Sequence, residues 1–255
     1  MDFELRTLDT AGVAREKCDA LVLLLPEGFK PGKDPLSRLA GDALKAGDAE
    51  TKAGKMLHAY RSEGLAAKRV VLVGAGDGSA KRIHTAVHAA VGALRTCGIK
   101  RLVVCLPPEA DDASVRAAVA ATAEASYVYI ATKSKPEGRE LERVTIAVTD
   151  AARLMPGFAA AKAVAAGIEF ARELANLPPN HATPTRLGEE AKKLAKSHGI
   201  GCEVLGPKEI EKIGMGSFLA VAQGSEQPAR FVVLNYQGGA KGDARGRQEE
   251  VTCKA

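Results

Sequence analysis

The sequence predicts a layered α/β protein: a first α/β domain, a connecting helix, and the start of a second, incomplete α/β domain. Three observations predict it. Apolar strand patterns alternate with helical stripes through residues 1–150, which is the order that builds a sheet covered by helices. Two of the strand runs, A-L-V-L-L-L-P ending at Pro26 and V-V-L-V-G-A-G ending at Gly76, are continuously apolar, as strands covered on both faces are. Two adjacent prolines, Pro178 and Pro179, then remove two backbone donors and disfavour a helical Leu177, so a helix arriving from the left must stop there.

Taken in order, Phe3–Leu8 alternates apolar with polar and reads as a strand, followed by the buried strand Asp19–Leu25. The segment from Gly28 to Gly54 is rich in Gly, Lys and Asp and carries a short helical pattern over Pro35–Leu44. The strand ending in the glycines Gly74, Gly76 and Gly78 leads into a helix over Ala80–Thr96, with Ile83, Val87, Val91 and Leu94 on one stripe. A strand R-L-V-V-C-L, an Ala-rich helix over Asp112–Ser126, a short strand over Tyr127–Thr132, a polar turn S-K-P-E-G-R-E and a strand R-V-T-I-A-V complete the first domain near Asp150. From Phe158 to Leu174, the spacing of Val164, Ile168, Ala171 and Ala175 predicts a connecting helix, with Val164, Ile168 and Leu174 packing it down.

The joint itself reads A-R-E-L-A-N-L-P-P-N-H-A-T-P from Ala171 to Pro184, and Thr183–Pro184 is a cap followed by a proline at the first helical position. A helix over Pro184–Ser197, a strand near Cys202–Leu205, a short helix P-K-E-I-E-K-I-G, a small-residue run around Phe218 and the strand R-F-V-V-L-N-Y open the second domain. So few residues carry two strands and little to cover them, which predicts exposed apolar surface at Phe218, Leu219 and Phe231–Leu234. The expected division is 1–150, a connecting helix and joint over 151–180, a partial domain over 181–236 and an unstructured tail over 237–255, where a longer protein has been cut or read out of frame.

Composition sets the class. Over 255 residues, apolar content of 46% and charge of 26% belong to a globular protein, and the net charge of +5 permits anionic partners without demanding them. Five cysteines, Cys18, Cys97, Cys105, Cys202 and Cys253, show no C-x-x-C pair, which excludes a zinc knuckle and a disulfide framework. The N-terminus begins M-D-F-E, without a basic segment followed by an apolar one, and no apolar run reaches the length of a membrane span. The expected location is the cytoplasm, with no membrane partner.

Four motifs invite chemistry, and each has a plainer reading. Gly74, Gly76 and Gly78 precede a helix as in a phosphate loop, but the spacing is G-x-G-x-G, and Asp77 would repel a pyrophosphate. A tight strand-to-helix turn suffices. His84 and His88 stand four apart without the Glu of H-E-x-x-H, so they read as a solvated helix edge. Asn180 and His181 lie in the joint without a nucleophile or an orienting carboxylate, and satisfy a sharp turn. The run Gly242–Arg247 echoes an acidic metal loop, but Arg245 stands where a second carboxylate is needed.

The joint, together with G-P-K-E-I-E-K-I-G-M-G-S-F-L-A-V-A-Q-G-S-E-Q-P-A-R-F-V-V-L-N-Y from Gly206 to Tyr236, resembles the leucyl (cytosol) aminopeptidase family. The resemblance implies a macro-domain-like N-terminal domain, a connecting helix and an α/β catalytic domain assembled as a hexamer. It also implies removal of N-terminal amino acids, preferably leucine, from peptides by a hydroxide held between two divalent metals, manganese or zinc. In that family the strand matching Phe231–Tyr236 leads into G-K-G-x-T-F-D-T-G-G and later N-T-D-A-E-G-R, and neither occurs here. No catalytic, cofactor-binding or metal-binding residue can therefore be matched, no cofactor is expected in this chain, and hydrolysis by it is not expected. The competing expectation is a module without catalysis that holds a nucleotide such as ADP-ribose at Gly74–Gly78, or DNA weakly; a homo-oligomer fits either reading.

Overall fold

A computed structural model describes residues 1–135, 137, 140–238 and the backbone of 249–253. The chain divides into two compact units, Met1–Ala171 and Arg172–Ala255.

The first unit is built on a six-stranded sheet. Its strands are β1 (Asp2–Thr7), β2 (Ala20–Pro26), β3 (Met56–Tyr60), β4 (Arg69–Gly76), β5 (Arg101–Cys105) and β6 (Arg143–Val148). The spatial order is β1-β6-β5-β2-β4-β3, with β3 alone antiparallel to its neighbour. Helices α1 (Thr10–Arg15) and α2 (Pro35–Ala46) cover one face, while α3 (Ala80–Leu94), α4 (Asp112–Ser126) and α5 (Ala151–Ala175) cover the other.

The continuous apolar runs follow from this double cover. Leu21, Leu23 and Leu25 of β2 point into the core beneath α1 and α2, and Val22 and Leu24 into the core beneath α3 and α4. A strand with a helix layer on each side has no solvent face, so no position selects a polar residue.

The expected strand over Tyr127–Thr132 does not form, and those residues run as loop and turn. The reason is topological. β6 already has β1 on one side and β5 on the other, so no slot remains beside it. Two elements without an expectation are present instead, α1 and β3.

Helix α5 begins at Ala151, earlier than Phe158, and carries Pro156 within it. Its buried stripe is Leu154, Phe158, Ala161 and Ala165, while Val164 and Ile168 are 57% and 46% exposed, so the expected packing at those two positions is wrong. Val164 lies one position off that stripe, whereas Ile168 keeps its spacing, three past Ala165, but stands beyond its last buried residue. With 25 residues and a mean hydropathy of 1.3 in its most apolar window, α5 has the length and composition of a membrane span, although five of its residues lie in the sheet's core.

The second unit holds α6 (Pro184–His198), β7 (Gly201–Leu205), α7 (Pro207–Lys212), α8 (Gly216–Ala222), β8 (Phe231–Tyr236) and β9 (Glu249–Cys253). The three strands form an antiparallel sheet in the order β7-β8-β9. Strand β9 falls inside the expected unstructured tail. Its backbone satisfies the outer edge of β8, which would otherwise present unpaired N–H and C=O groups.

The expected apolar surface is only partly exposed: Phe218, Leu219, Phe231, Val233 and Leu234 are half-buried and Val232 is buried. Phe218 meets Phe231 edge to face at 5.9 Å between centroids. The large apolar side chains in full view are Ile213, Val221 and Tyr236.

Candidate functional site

In an open parallel sheet the carboxyl ends of the strands, where successive connections diverge to opposite sides, leave a crevice. Here that crevice measures about 670 Å3 and lies over the ends of β2, β4 and β5. Five helices begin around the same end of the sheet, and each beginning is a potential anion site, because its first N–H groups lack partners within the helix.

The chain places a carboxylate at all five, Asp150 accepting from the Arg153 N–H at 3.0 Å ahead of α5, although α3 itself has no side-chain cap. Asp9 accepts from the Gly12 N–H at 2.7 Å, Asp34 from the Ser37 N–H at 2.9 Å, and Asp111 from the Ser114 N–H at 2.8 Å. Asp77 accepts from both the N–H and the hydroxyl of Ser79, the residue that opens α3, at 2.9 and 2.6 Å. Thr10 donates to the other oxygen of Asp34 at 2.8 Å, tying the starts of α1 and α2 together.

These contacts shift the acids. Hydrogen bonds from Ser114 hold the Asp111 carboxyl below its ordinary range, and those from Ser79 do the same for Asp77. Burial pushes Asp34 upward, but the bonds from Ser37 and Thr10 outweigh it and leave that carboxyl lowered. The lining of the mouth carries four acidic residues, Asp9, Glu27, Asp77 and Glu109, against the single cation Lys30.

Such a crevice is poorly suited to a phosphate. Cys105 on its lining is no nucleophile either, since burial first, and then Asp34 and Asp9, push its thiol up to about 12. A second hollow of about 350 Å3, next to Leu94, Ile99 and Leu141, opens at the amino ends of the strands.

The glycine run has a structural explanation. A Cβ on Gly74 would collide with the backbone of Glu50, Thr51 and Lys52, which crosses the strand there. Gly74 N–H donates to Lys55 O at 2.8 Å and Gly76 N–H to Thr51 O at 2.7 Å, so these donors serve the loop before β3 and do not face a ligand.

His84 and His88 stack at 6.0 Å between centroids on α3, and His84 Nε2 lies 3.1 Å from Glu124 Oε2 of α4. That carboxylate, forty residues away in sequence, becomes visible only once α3 and α4 pack. Gly242–Arg247 lies outside the described residues.

In the second unit the joint forms as its residues dictate. The two prolines are followed by a turn in which His181 and Ala182 donate to Pro178 O at 2.8 and 2.9 Å, and Thr183 caps α6 by accepting from the Arg186 N–H at 3.2 Å. Two of the carboxylates beyond it are committed elsewhere: Glu190 to Arg186 and Lys193, both at 2.9 Å, and Glu209 to the Gly206 N–H at 2.9 Å. Between Ala151 and Gly242 the sequence contains no aspartate. No group of three His, Cys, Asp or Glu side chains suited to a metal ion occurs among the described residues. The donors present do not fit a two-metal centre.

Comparison with known proteins places this architecture. Residues 33–136 match the N-terminal domain of the cytosol aminopeptidase family, and residues 169–247 match its catalytic domain. A probable cytosol aminopeptidase of Albidiferax ferrireducens is 55% identical, over 96% of this chain and 51% of that protein. Those of Polaromonas naphthalenivorans and Acidovorax ebreus are 53% and 52% identical, over 96% of this chain and 48% and 49% of theirs. The chain thus spans about half the length of these relatives.

Among solved structures, a tomato leucine aminopeptidase mutant aligns with a TM-score of 0.78 over 94% of this chain and 52% of its own, at 23% identity. The bottromycin maturation enzyme BotP aligns at 0.70 over 86% and 46%, also at 23% identity. With both of its domains matched in order on either side of the Pro178–Pro179 joint, the chain belongs to the cytosol (leucyl) aminopeptidase family.

Proposed function

We propose that this protein serves peptide hydrolysis, the removal of N-terminal amino acids, preferably leucine, by a two-metal aminopeptidase using manganese or zinc. The observation that carries the reading is the relatedness itself: more than half of the residues are identical to probable cytosol aminopeptidases across 96% of the chain. A solved complex of BotP with manganese, similar in fold at a TM-score of 0.69, supports the choice of metal. A cytoplasmic location and a homo-oligomeric state accompany the reading.

Within it, these 255 residues contribute an accessory domain, the joint and the first layer of the catalytic domain. The motifs that bring the metal ligands and the charge-stabilising lysine and arginine are not among them. The 255-residue chain is therefore expected to be inactive.

The test is leucine p-nitroanilide with added manganese. Release of nitroaniline no faster than in a metal-free blank is the expected result, and turnover well above that blank overturns the assignment of the ligands to residues outside this sequence. The reading without catalysis finds no support in the crevice, whose lining carries Asp9, Glu27, Asp77 and Glu109 against Lys30 and where Asp9, Asp34 and Asp111 cap their own helices.

A further inference from the structure

Strand β3 is the outermost strand of its sheet. Its ladder to β4 is bracketed by two backbone hydrogen bonds, Gly74 N–H to Lys55 O and Arg61 N–H to Lys68 O, both 2.8 Å. Backbone groups in an antiparallel pair face the partner at every second residue. Lys55, Leu57, Ala59 and Arg61 thus face β4, and the N–H and C=O groups of Met56, His58 and Tyr60 face outward. Among the described residues nothing else bonds to them.

At the end of this open edge sits Tyr60, 59% exposed. Two guanidiniums hold its ring, Arg61 at 5.4 Å and Arg69 at 5.2 Å from the centroid. Arg69 stands directly opposite Tyr60 in the register. Arg61 sits at φ 51°, a left-handed conformation that is strained for a residue with a Cβ.

Neither arginine has a carboxylate within ion-pair distance among the described residues. Lys68 is different, being spent on Asp19 at 3.2 Å. Glu63 is the one acidic residue between Met56 and Arg69. The edge therefore offers free strand donors and acceptors beside two uncommitted cations. Like charges deter a second copy of this chain from pairing β3 to β3, and they favour a strand of opposite charge.

We infer that the outer edge of β3 receives an extended acidic segment of another protein as an added strand, its carboxylates meeting Arg61 and Arg69. The backbone supplies the affinity and the two guanidiniums choose the partner. A single-stranded nucleic acid would use the arginines and Tyr60 but would leave the outward backbone groups unpaired.

The test uses the 255-residue chain and a fluorescent, end-blocked peptide of about eight residues alternating glutamate with valine, followed by anisotropy. Saturable binding below about 1 mM is expected, weakened at least about tenfold by Arg61→Gln with Arg69→Gln, and absent for the lysine–valine peptide. His58→Pro removes only an outward N–H and should weaken binding by a similar factor. Should that variant lose its circular dichroism or melt early, hydrogen exchange on the unaltered protein replaces it, with added protection expected at Met56, His58 and Tyr60 in the presence of peptide. The inference is overturned by no binding of the glutamate peptide, by equal binding of the lysine peptide, or by an oligonucleotide binding where the peptide does not. A well-folded His58→Pro variant with unchanged affinity, or unchanged exchange at those three amides, overturns it as well.

Discussion

Strands β2 and β8 are both apolar six- or seven-residue runs, yet they live in different environments. From Ala20 to Leu25 every residue of β2 is buried, whereas in β8 only Val232 is, and its neighbours are half-exposed. The first unit closes a helix layer over each face of its sheet. Among the described residues of the second, the buried apolar side chains are Ala195, Ile210, Ala229 and Val232. The comparison teaches that an apolar strand reports how much cover it needs and not how much it has. The first unit carries its cover within its own sequence, and the described residues of the second carry much less.

The same truncation in each sheet should expose the difference most strongly. Leu72→Ala, at a position with no exposure in β4, is expected to cost about 2–5 kcal/mol in urea unfolding followed by β-sheet signal from the first unit. Leu234→Ala, half-buried in β8, should cost less than about half of that. Equal losses would mean that the two sheets are equally covered.

Next in size is a pair of glycines. Gly74→Ala should cost about 1–3 kcal/mol, because the added methyl meets fixed backbone of the 50–52 segment. Gly167→Ala on α5 meets nothing within 4 Å and should instead raise the melting temperature, by about 0.5–1 kcal/mol of stability. A neutral Gly74→Ala would remove the close-approach explanation of the glycine run.

The last effect is electrostatic and belongs mainly to the first unit. Asp34 and Asp111 are lowered by their capping bonds, and Asp19 is lowered because the N–H groups of Arg101 and Lys100 and the Lys68 ammonium outweigh the opposing effect of burial. A carboxyl lowered in the folded state stabilises above its ordinary range and stops doing so as pH falls through the lowered value. Stability of the first unit should therefore fall below about pH 4. Asp111→Ala should cost about 1 kcal/mol at neutral pH and flatten that acid decline. An acid limb unchanged in this variant would locate its cause elsewhere.

What could be read from the sequence follows the same division. β2, β4 and β5 announce themselves because full burial writes an unbroken apolar run, β6 by a run broken only at Thr145, and α4 because Asp111 and Ser114 mark its start. β3 is silent because an edge strand half in solvent tolerates M-L-H-A-Y, a pattern with no clear period. Tyr127–Ile130 misleads for the opposite reason, an apolar run without a free neighbour in the sheet.

The crevice was legible in part. An aspartate precedes each of the five helices that begin there, a signal that marks helix starts but shows their convergence only once the strands are ordered. The Tyr60 cluster was not legible, since the approach of Arg69 depends on a register that no local pattern encodes.

The contrast between the two units is tested most directly by native-state hydrogen exchange on the whole chain, residue by residue. The account predicts that the slowest amides lie in β2, β4 and β5, and that those of β7 and β8 exchange at least about a hundredfold faster. Amides of β7 and β8 as slow as those of β2 would show that the second unit is as well covered as the first, and would contradict it.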